Sequence, residues 1–572
     1  MRIGLGLLII GIILLAAGLG GYLTTPPSKG KLVLDWWYES SGHYPQSADQ
    51  AVVYKTQLER SGLVTVNLHG ADWASYKKYT AEGSMQVYVF GWWPDYVDSD
   101  MFLYGLFHSK GGAWLNDGYS DPQLDRLIDL ERRTMDPTER GQYFSQAQAL
   151  LAQDVPGVPV FQTKAYAVTK PGVTGVNLDI TQNMYYWLIS PPAGGDTLIV
   201  GTTDSIPSNL DPAEQWSYFV EQMQWNLGAP LVYIKPGSTG GPDDFTPALA
   251  SDWSMSPDGL TWTFNLRQGL KFADGTEFTA DAVKYSFDRS MGLATEEGPQ
   301  TTYGYSDMIA NIAAPSRYQA VLTLKFPVPS FLALMAFPGS FIVNPKYAPM
   351  DKVVQYVEGD PRASNPNDLG PYLLTEWVRK GGKDYEMRLD ANPNYFGAAE
   401  GYPRAKHIVF KFYADSTSLA GATKAGDLDM AYRHLISADI KGMQSDPNLK
   451  VWEGVSATIQ FILFNEHMPP LDNPEVRRAI AGAIDRNELC DTVFMGQAVP
   501  LYSMIPIGMP YYEPVFKSLG DGNISTLTTT LKGLGYTQET VNPTSQLWGV
   551  LGVIGAVVAI AGAASLIRKK ST

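Results

Sequence analysis

The stretch WWPDYVDSD, residues 92–100, sets three carboxylates, Asp95, Asp98 and Asp100, among Trp92, Trp93 and Tyr96. Calcium is the first cation to test against such a cluster, and the spacing argues against it: the glycine and the distal glutamate of a calcium loop are both missing. The plainer reading is that Asp95 opens a turn after Pro94. Catalytic patterns are absent elsewhere. There is no glycine-lysine phosphate loop, so any ATPase must be a separate chain. No G-x-S-x-G elbow or H-E-x-x-H pair occurs, and the 6 histidines are scattered. The sequence therefore does not read as an enzyme, and no cofactor or metal is expected.

At 572 residues, with 45% hydrophobic and 18% charged side chains, the chain is globular and large enough for two to four structural units. A formal charge of -15 with no basic stretch excludes nucleic acid as a partner. The single cysteine, Cys490, excludes an internal disulfide framework and, in an amphipathic run, reads as a buried inert thiol.

Apolar and helical patterns alternate along the chain, which implies an α/β layer architecture. KLVLDWWY, LVTVNLHG and MQVYVFGWW read as strands, and 48–60 as a helix burying Ala48, Val52 and Leu58. Asp121 and Asp136, each followed by proline, should cap helices, and Thr279 should cap another. Residues 191–195, PPAGG, form a flexible joint before the strand TLIV.

Both ends are apolar. Residues 3–23 and 547–567 carry no charge, and a helix over either would cross a ~30 Å hydrocarbon core. Arg2 flanks the first and Arg568, Lys569 and Lys570 the second, so both termini are expected in the cytoplasm and the bulk of the protein outside. This predicts transmembrane anchors over 1–24 and 546–568, with a cleaved signal peptide, its small residues Ala16, Ala17 and Gly18 near the end, as the alternative reading of the first. Asn523, in NIS, is a glycosylation sequon, whereas Asn542 precedes proline and is not.

Five blocks, GDTLIVGTTD with NLDPA, the turn-rich run 247–289, GPYLLTEW with NPNYFG, PPLDNPEVRRAIAGAIDR, and FGWWPDYVDSDMFL, together resemble the family 5 extracellular solute-binding proteins of ABC importers. Their order is inverted. In the family the block at 195–512 comes first and that at 30–190 second, so the chain resembles a circular permutant whose ancestral ends meet at PPAGG. The resemblance implies a two-lobe periplasmic-binding-protein-like (type II) fold with ligand enclosed between the lobes. One lobe would be continuous over 166–430, with an accessory subdomain at about 240–364. The other would combine 30–165 with 431–540 and carry both tethers.

In peptide-binding relatives an aspartate in a W-x-x-D-Y-type turn receives the peptide α-ammonium, which here implies Asp95, with Trp92, Trp93, Tyr96 and Asp98 around it. Across the cleft, relatives use the segment after the LDP turn, here Glu214, Trp216, Ser217 and Tyr218. The resemblance thus implies an oligopeptide receptor that delivers ligand to a permease with separate ATPase subunits. Two other readings stand beside it. The 14 Trp and 32 Tyr also suit stacking on sugar rings, so an oligosaccharide ligand is open. Two anchors on one lobe would also suit a self-assembling, homo-oligomeric surface protein, with an archaeal cell surface as the expected setting.

Overall fold

The apolar runs become the strands of two large sheets in the computed structural model, which describes residues 29–538 except 42, 45, 181–182, 208, 215–216, 239–240, 242–243 and 296–297, plus scattered positions within 7–16 and 554–563. The first sheet has six strands in the order Ala498–Pro500, Gly157–Thr163, Ile459–Phe464, Val87–Trp92, Leu32–Glu39 and Val64–Ala71. Leu32–Glu39 and Val64–Ala71 lie parallel, Leu32 opposite Val64 through Glu39 opposite Ala71. A parallel pair needs a crossover, and the helix Ser47–Glu59 supplies it. All six side chains of Ile459–Phe464 are buried, as a strand covered on both faces requires.

The second sheet has seven strands, in the order Tyr372–Lys380, Lys383–Ala391, His407–Phe412, Thr197–Thr202, Met430–Tyr432, Ala165–Thr169 and Lys450–Gly454. A four-stranded antiparallel sheet, built from strands between Ala250 and Leu324, packs beside it as a smaller unit. The two large sheets are joined by two neighbouring crossings. Gly157–Thr163 leads through Lys164 into Ala165–Thr169, and Lys450–Gly454 leads back into Ile459–Phe464; the four strands pair with each other on both sides of the crossing. There the Thr163 amide donates to the Thr458 carbonyl at 3.0 Å, and Lys164 meets Glu453 at 2.8 Å. Two adjacent extended segments can bend while each sheet stays intact, which is the geometry of a hinge between two α/β lobes.

Local signals explain the helices that flank the sheets. Asp121 accepts from the amides of Gln123 and Leu124, and Asp136 from that of Glu139, each with proline in the first turn. Thr279 does precede the helix Ala280–Leu293, but its side chain makes no capping bond. Cys490 is buried, and burial pushes its thiol up to about 12. The helix Ser47–Glu59 turns a different face inward from the one the apolar pattern predicts. Ala48 and Val52 are exposed, while Gln50, Ala51, Tyr54 and Gln57 join Leu58 inside. Gln57 is tolerated inside because its amide is paired, donating to the Asp485 carbonyl at 2.9 Å and to Glu488 Oε2 at 3.1 Å and accepting from the Asp485 amide at 3.0 Å.

The expected terminal anchors are also corrected. Among the described residues no helix is long and apolar enough to cross a membrane. Described helical positions fall only between Leu7 and Ala16 and between Ile554 and Ala563, and the rest of both apolar runs lies outside the described residues. An absence of charge over twenty residues permits a span but does not make one. With the spans go the placement of both termini in the cytoplasm, the tethered lobe, and the surface-array and archaeal readings built on two anchors. What the structure gives instead is a meeting of the domain's ends: the Lys29 amide donates to the Gly535 carbonyl at 3.1 Å and the Thr537 amide to the Gly30 carbonyl at 3.0 Å. At the joint, Ala193, Gly194 and Gly195 lie exposed in a turn closed by the Gly195 amide on the Pro192 carbonyl at 3.0 Å, with Gly194 at φ 84.

The smaller unit is pinned to the second lobe by one fully buried ion pair. Arg289 donates to both oxygens of Asp211, at 2.9 and 2.5 Å, and the Ala213 and Val354 amides complete the carboxylate. Asp211 belongs to the LDP turn that leads into the helix Tyr218–Leu227. Arg289→Met leaves that carboxylate buried without its cation and is expected to cost about 3–5 kcal/mol, read as a lowered urea midpoint with an unchanged slope.

Candidate functional site

The turn after Val87–Trp92 is shaped by how its acids are neutralised. Asp98 is buried and takes Arg140 through two bonds, at 2.9 and 2.7 Å, while the same guanidinium reaches Glu131 at 2.9 Å. Asp98 also accepts the Asp100 amide at 2.9 Å, capping the short helical turn Ser99–Phe102. Asp100 receives Arg132 Nε at 3.1 Å and the Tyr96 hydroxyl at 2.8 Å, and Arg132 and Arg140 hold its carboxyl low against its burial. Two of the three clustered acids are therefore occupied by arginines of their own lobe. Trp92 is likewise committed, its indole donating to the Met101 carbonyl at 3.2 Å and stacking on Trp114 at 5.7 Å.

Asp95 differs. It meets no cation. The Tyr303 hydroxyl, from the far side of the cleft, donates to its Oδ2, and the Tyr303 ring meets that of Tyr96 edge-on at 5.1 Å. Burial pushes the Asp95 carboxyl up to about 7, and the hydrogen bond from Tyr303 opposes this only in part. Trp93 in turn meets Tyr218 edge-on at 6.4 Å.

Across the cleft, Tyr218 opens the helix Tyr218–Leu227 and bonds through its hydroxyl to that of Tyr432 at 2.8 Å. Ser217 stands at that helix's N-cap without making a capping bond, and its buried Oγ has no hydrogen-bond partner among the described residues. Glu214 accepts from Asn209 at 2.5 Å. Trp216 lies outside the described residues. One turn along the helix is Glu221, which the sequence reading passed over. Its side chain is buried, its Oε1 has no hydrogen-bond partner among the described residues, and burial followed by the charge of Asp95 pushes its carboxyl up, opposed by Arg433. An acid inside the apolar run YFVEQMQWNL is the signal that could have flagged it.

A second cluster surrounds Arg433 and His434. Both residues hold positive φ, 63 and 58, which costs non-glycine residues of order 1–3 kcal/mol each. The Arg433 guanidinium lies 3.4 Å over the Tyr218 ring, with Asp204 at 3.8 Å. His434 sets Nδ1 at 2.8 Å from the Thr203 hydroxyl and Nε2 at 3.4 Å from Asp204. From the other lobe comes His43, stacked on Trp73 at 3.8 Å. Burial, then the charge of Arg433, pushes its imidazole down to about 4. Among the described residues no group of three or more His, Cys, Asp or Glu could hold a metal ion.

The geometry is thus a cleft between two lobes with an acidic end at Asp95 and Glu221, an aromatic middle at Trp93 and Tyr218, and a basic end at Arg433. Comparison with known proteins agrees with a binding cleft. The family model for bacterial extracellular solute-binding proteins, family 5 Middle, matches residues 17–114 and 244–544, well over half of the chain. The probable D,D-dipeptide-binding periplasmic protein DdpA of Escherichia coli K12 is 29% identical over 325 residues, covering 56% of this chain and 58% of that protein. Di/tripeptide-binding protein 2 of Pseudomonas aeruginosa (strain UCBPP-PA14) is 30% identical over 319 residues, covering 53% and 57%. The chain thus spans somewhat more than half the length of the curated relatives it matches. The periplasmic binding protein DppA of Helicobacter pylori, solved with the peptide STSA, aligns at 22% identity and a TM-score of 0.46, over 63% of this chain and 72% of that one.

The raised Asp95 carboxyl makes a testable link to stability. Unfolding returns it from about 7 to near 3.8, so the folded state binds more protons between those values and gains stability as pH falls through that window. Urea midpoints at pH 7.5 and pH 5 should therefore rise less on acidification in Asp95→Asn than in the parent, and still less when Glu221→Gln is added.

Proposed function

Because the chain belongs to the bacterial extracellular solute-binding proteins of family 5, we propose that it captures peptides between its two lobes and delivers them to an ABC importer whose permease and ATPase are separate chains. Members of the family are binding proteins, not enzymes, and act outside the cytoplasm. The observation that carries the peptide reading is the contrast among buried acids: Asp98, Asp100 and Asp211 each hold an arginine, whereas Asp95 and Glu221 face the cleft with none. A peptide α-ammonium is the cation that fits, since it supplies donors to both carboxylates as the lobes close. Tyr303 keeps Asp95 bonded meanwhile. Trp93, Tyr96 and Tyr218 form walls around it, and neither Asp98 nor Trp92 has a group left for ligand. Names of the relatives point the same way, to dipeptides and tripeptides. A neutral oligosaccharide would use the rings but would leave two acids unmatched.

The chain order is read here as a circular permutation of the family's. Two features support it: the domain ends are bonded to each other at 29–30 and 535–537, and the 192–195 turn is exposed and short enough to have been closed over former termini. The half-length alignments are what a collinear comparison gives when two blocks have exchanged order. On this reading the lobes follow the two large sheets, with 30–165 and the C-terminal strands in one and the central segment in the other.

Native mass spectrometry of the protein after incubation with a random dipeptide and tripeptide library, followed by tryptophan-fluorescence titration, tests the reading. Peptide should be retained, and Asp95→Ala should weaken it by about thirtyfold or more, as loss of one partner of a desolvated charge pair does. Affinity should fall as pH drops below about 7, because the proton then competes with the ammonium for Asp95. Retention of sugar and not peptide would overturn it.

A further inference from the structure

The first lobe touches the smaller unit at a place that takes no part in the Asp95 turn. Arg133, just past the helix Pro122–Glu131, lays its guanidinium 4.7 Å over the ring of Phe326, just past the smaller unit's strand Gln319–Leu324. Its neighbour Arg132 is taken by Asp100, whereas Arg133, among the described residues, meets no carboxylate and lies on an aromatic face instead. Two residues on, Met135 stands over the hairpin turn SPDG, residues 256–259. Pro257 and Asp258 of that turn are exposed, but Gly259 is buried. A Cβ on Gly259 would stand 3.5 Å from Met135 Cγ and 3.2 Å from Pro327 Cβ, so the first lobe helps cover the end of the turn.

These contacts sit on the two segments that also build the acidic end of the cleft. In the first lobe, Glu131 and Arg140 hold Asp98 and Arg132 holds Asp100, so residues 131–140 carry both the ligand turn and the contact. In the smaller unit, Tyr303 reaches Asp95, and Met308 and Phe326 face Asp129 and Arg132 across a small cavity. Neither segment belongs to the hinge, whose crossings run through Lys164 and between Gly454 and Ile459. Because Arg289 on Asp211 pins the smaller unit to the second lobe, rotation about the hinge must carry Phe326 off Arg133 and Gly259 off Met135. The interface is built to part. Arg133 is exposed and Met135 is 36% exposed, so each keeps one face in water, where a permanent packing contact would bury both. Separation leaves no buried charge behind, unlike the breaking of Arg289 from Asp211.

We infer that the smaller unit is a clasp on the cleft: Arg133 on Phe326 and Met135 over Gly259 hold its edge to the first lobe in the shut state and slow the release of ligand. This rests on the reading of the cleft as a site that encloses ligand, and it adds what keeps the site shut. Arg133 and Phe326 are positioning residues, acting on the ligand only through the lobes they join. A contact outside the ligand site favours the shut state equally for every ligand the cleft encloses. It therefore sets residence time and leaves selectivity to the walls of the cleft.

Two measurements on the full chain test the clasp, one of them without ligand. Spin labels on Gln123→Cys and Ser254→Cys, both exposed, report the distance between the first lobe and the smaller unit by pulsed electron resonance, and Cys490 is buried away from the label. Arg133→Ala and Phe326→Ala should each move population from the short distance to longer ones, the double variant should move no more than either, and Arg133→Lys should keep part of the short population. With a dipeptide and tripeptide library, stopped-flow tryptophan fluorescence should show release about two- to fivefold faster in both single variants, as loss of one exposed cation–aromatic contact implies, with association and the ranking of peptides unchanged. Unchanged distances in both single variants overturn the clasp whether or not a peptide binds. Additive effects in the double variant overturn the pairing of Arg133 with Phe326, and altered distances with unaltered release overturn its role in retention. If no peptide binds while Arg133→Ala still opens the lobes, the peptide reading falls and the clasp is supported.

Discussion

Taking a carboxylate out of water is the constraint on which this architecture turns. A buried ionised acid is tolerable when a cation and amide donors replace its hydration, and otherwise it holds its proton. The protein buries many acids and treats them in two ways. Asp98, Asp100, Asp211 and Asp368 each meet an arginine, respectively Arg140, Arg132, Arg289 and Arg362, and those pairs fix turns and join units. Among the described residues Asp95 and Glu221 meet none, and burial raises their carboxyls, as it raises that of Asp368 in spite of Arg362. The difference between the paired and the unpaired acids is thus set by their neighbours, since the residue types are the same.

The paired acids make the unpaired ones possible. Asp98 on Arg140 and Asp100 on Arg132 hold the turn from both sides, so that Asp95, three residues earlier, is carried to the cleft on a rigid loop. On the opposing face, Asp211 on Arg289 fixes the turn that starts the helix bearing Tyr218 and Glu221. The two loops belong to different lobes, and among the described residues these meet through aromatic contacts, the Tyr303 hydroxyl on Asp95 and the Gln497 amide on the Ser437 carbonyl at 2.9 Å. Contacts of that kind are modest individually.

Much of the scaffold was legible in the sequence because its signals are local. Period-two apolar runs gave the strands, and Asp-Pro pairs at 121 and 136 gave helix starts, since the capping bond lies within three residues of the cap. The helix face at 47–59 was misread because Gln57 is paired with Asp485, more than four hundred residues away, and no local pattern records that. The site was half visible for the same reason. Asp95 stood out in a turn of aromatics, whereas the arginines that consume Asp98 and Asp100 come from the helices that follow, and Arg433 acquires meaning only where Tyr218 and His43 are brought to it. The apolar ends were overread, because hydropathy speaks of solvent preference and says nothing of whether a continuous helix forms.

On the permutation proposed above, the cleft would survive the change in chain order because of the same pairings. The contacts that define it join segments distant in sequence: Asp95 with Tyr303, Trp93 with Tyr218, His43 with Arg433, and the strand Thr197–Thr202 with both His407–Phe412 and Met430–Tyr432. None of these depends on which loop holds the termini. What a permutation requires is that the old ends be close enough to be bridged by a few residues and that the new opening cut no buried strand. The turn at 192–195 bridges from the 174–190 pairing to the strand beginning at Thr197, and the ends at 29 and 537 lie where an edge helix meets the start of Leu32–Glu39. Closure entropy grows slowly with loop length, so moving the opening from one exposed loop to another alters the free energy far less than breaking one buried arginine–carboxylate pair would. The chemistry of the cleft is therefore insulated from the order in which the chain is written.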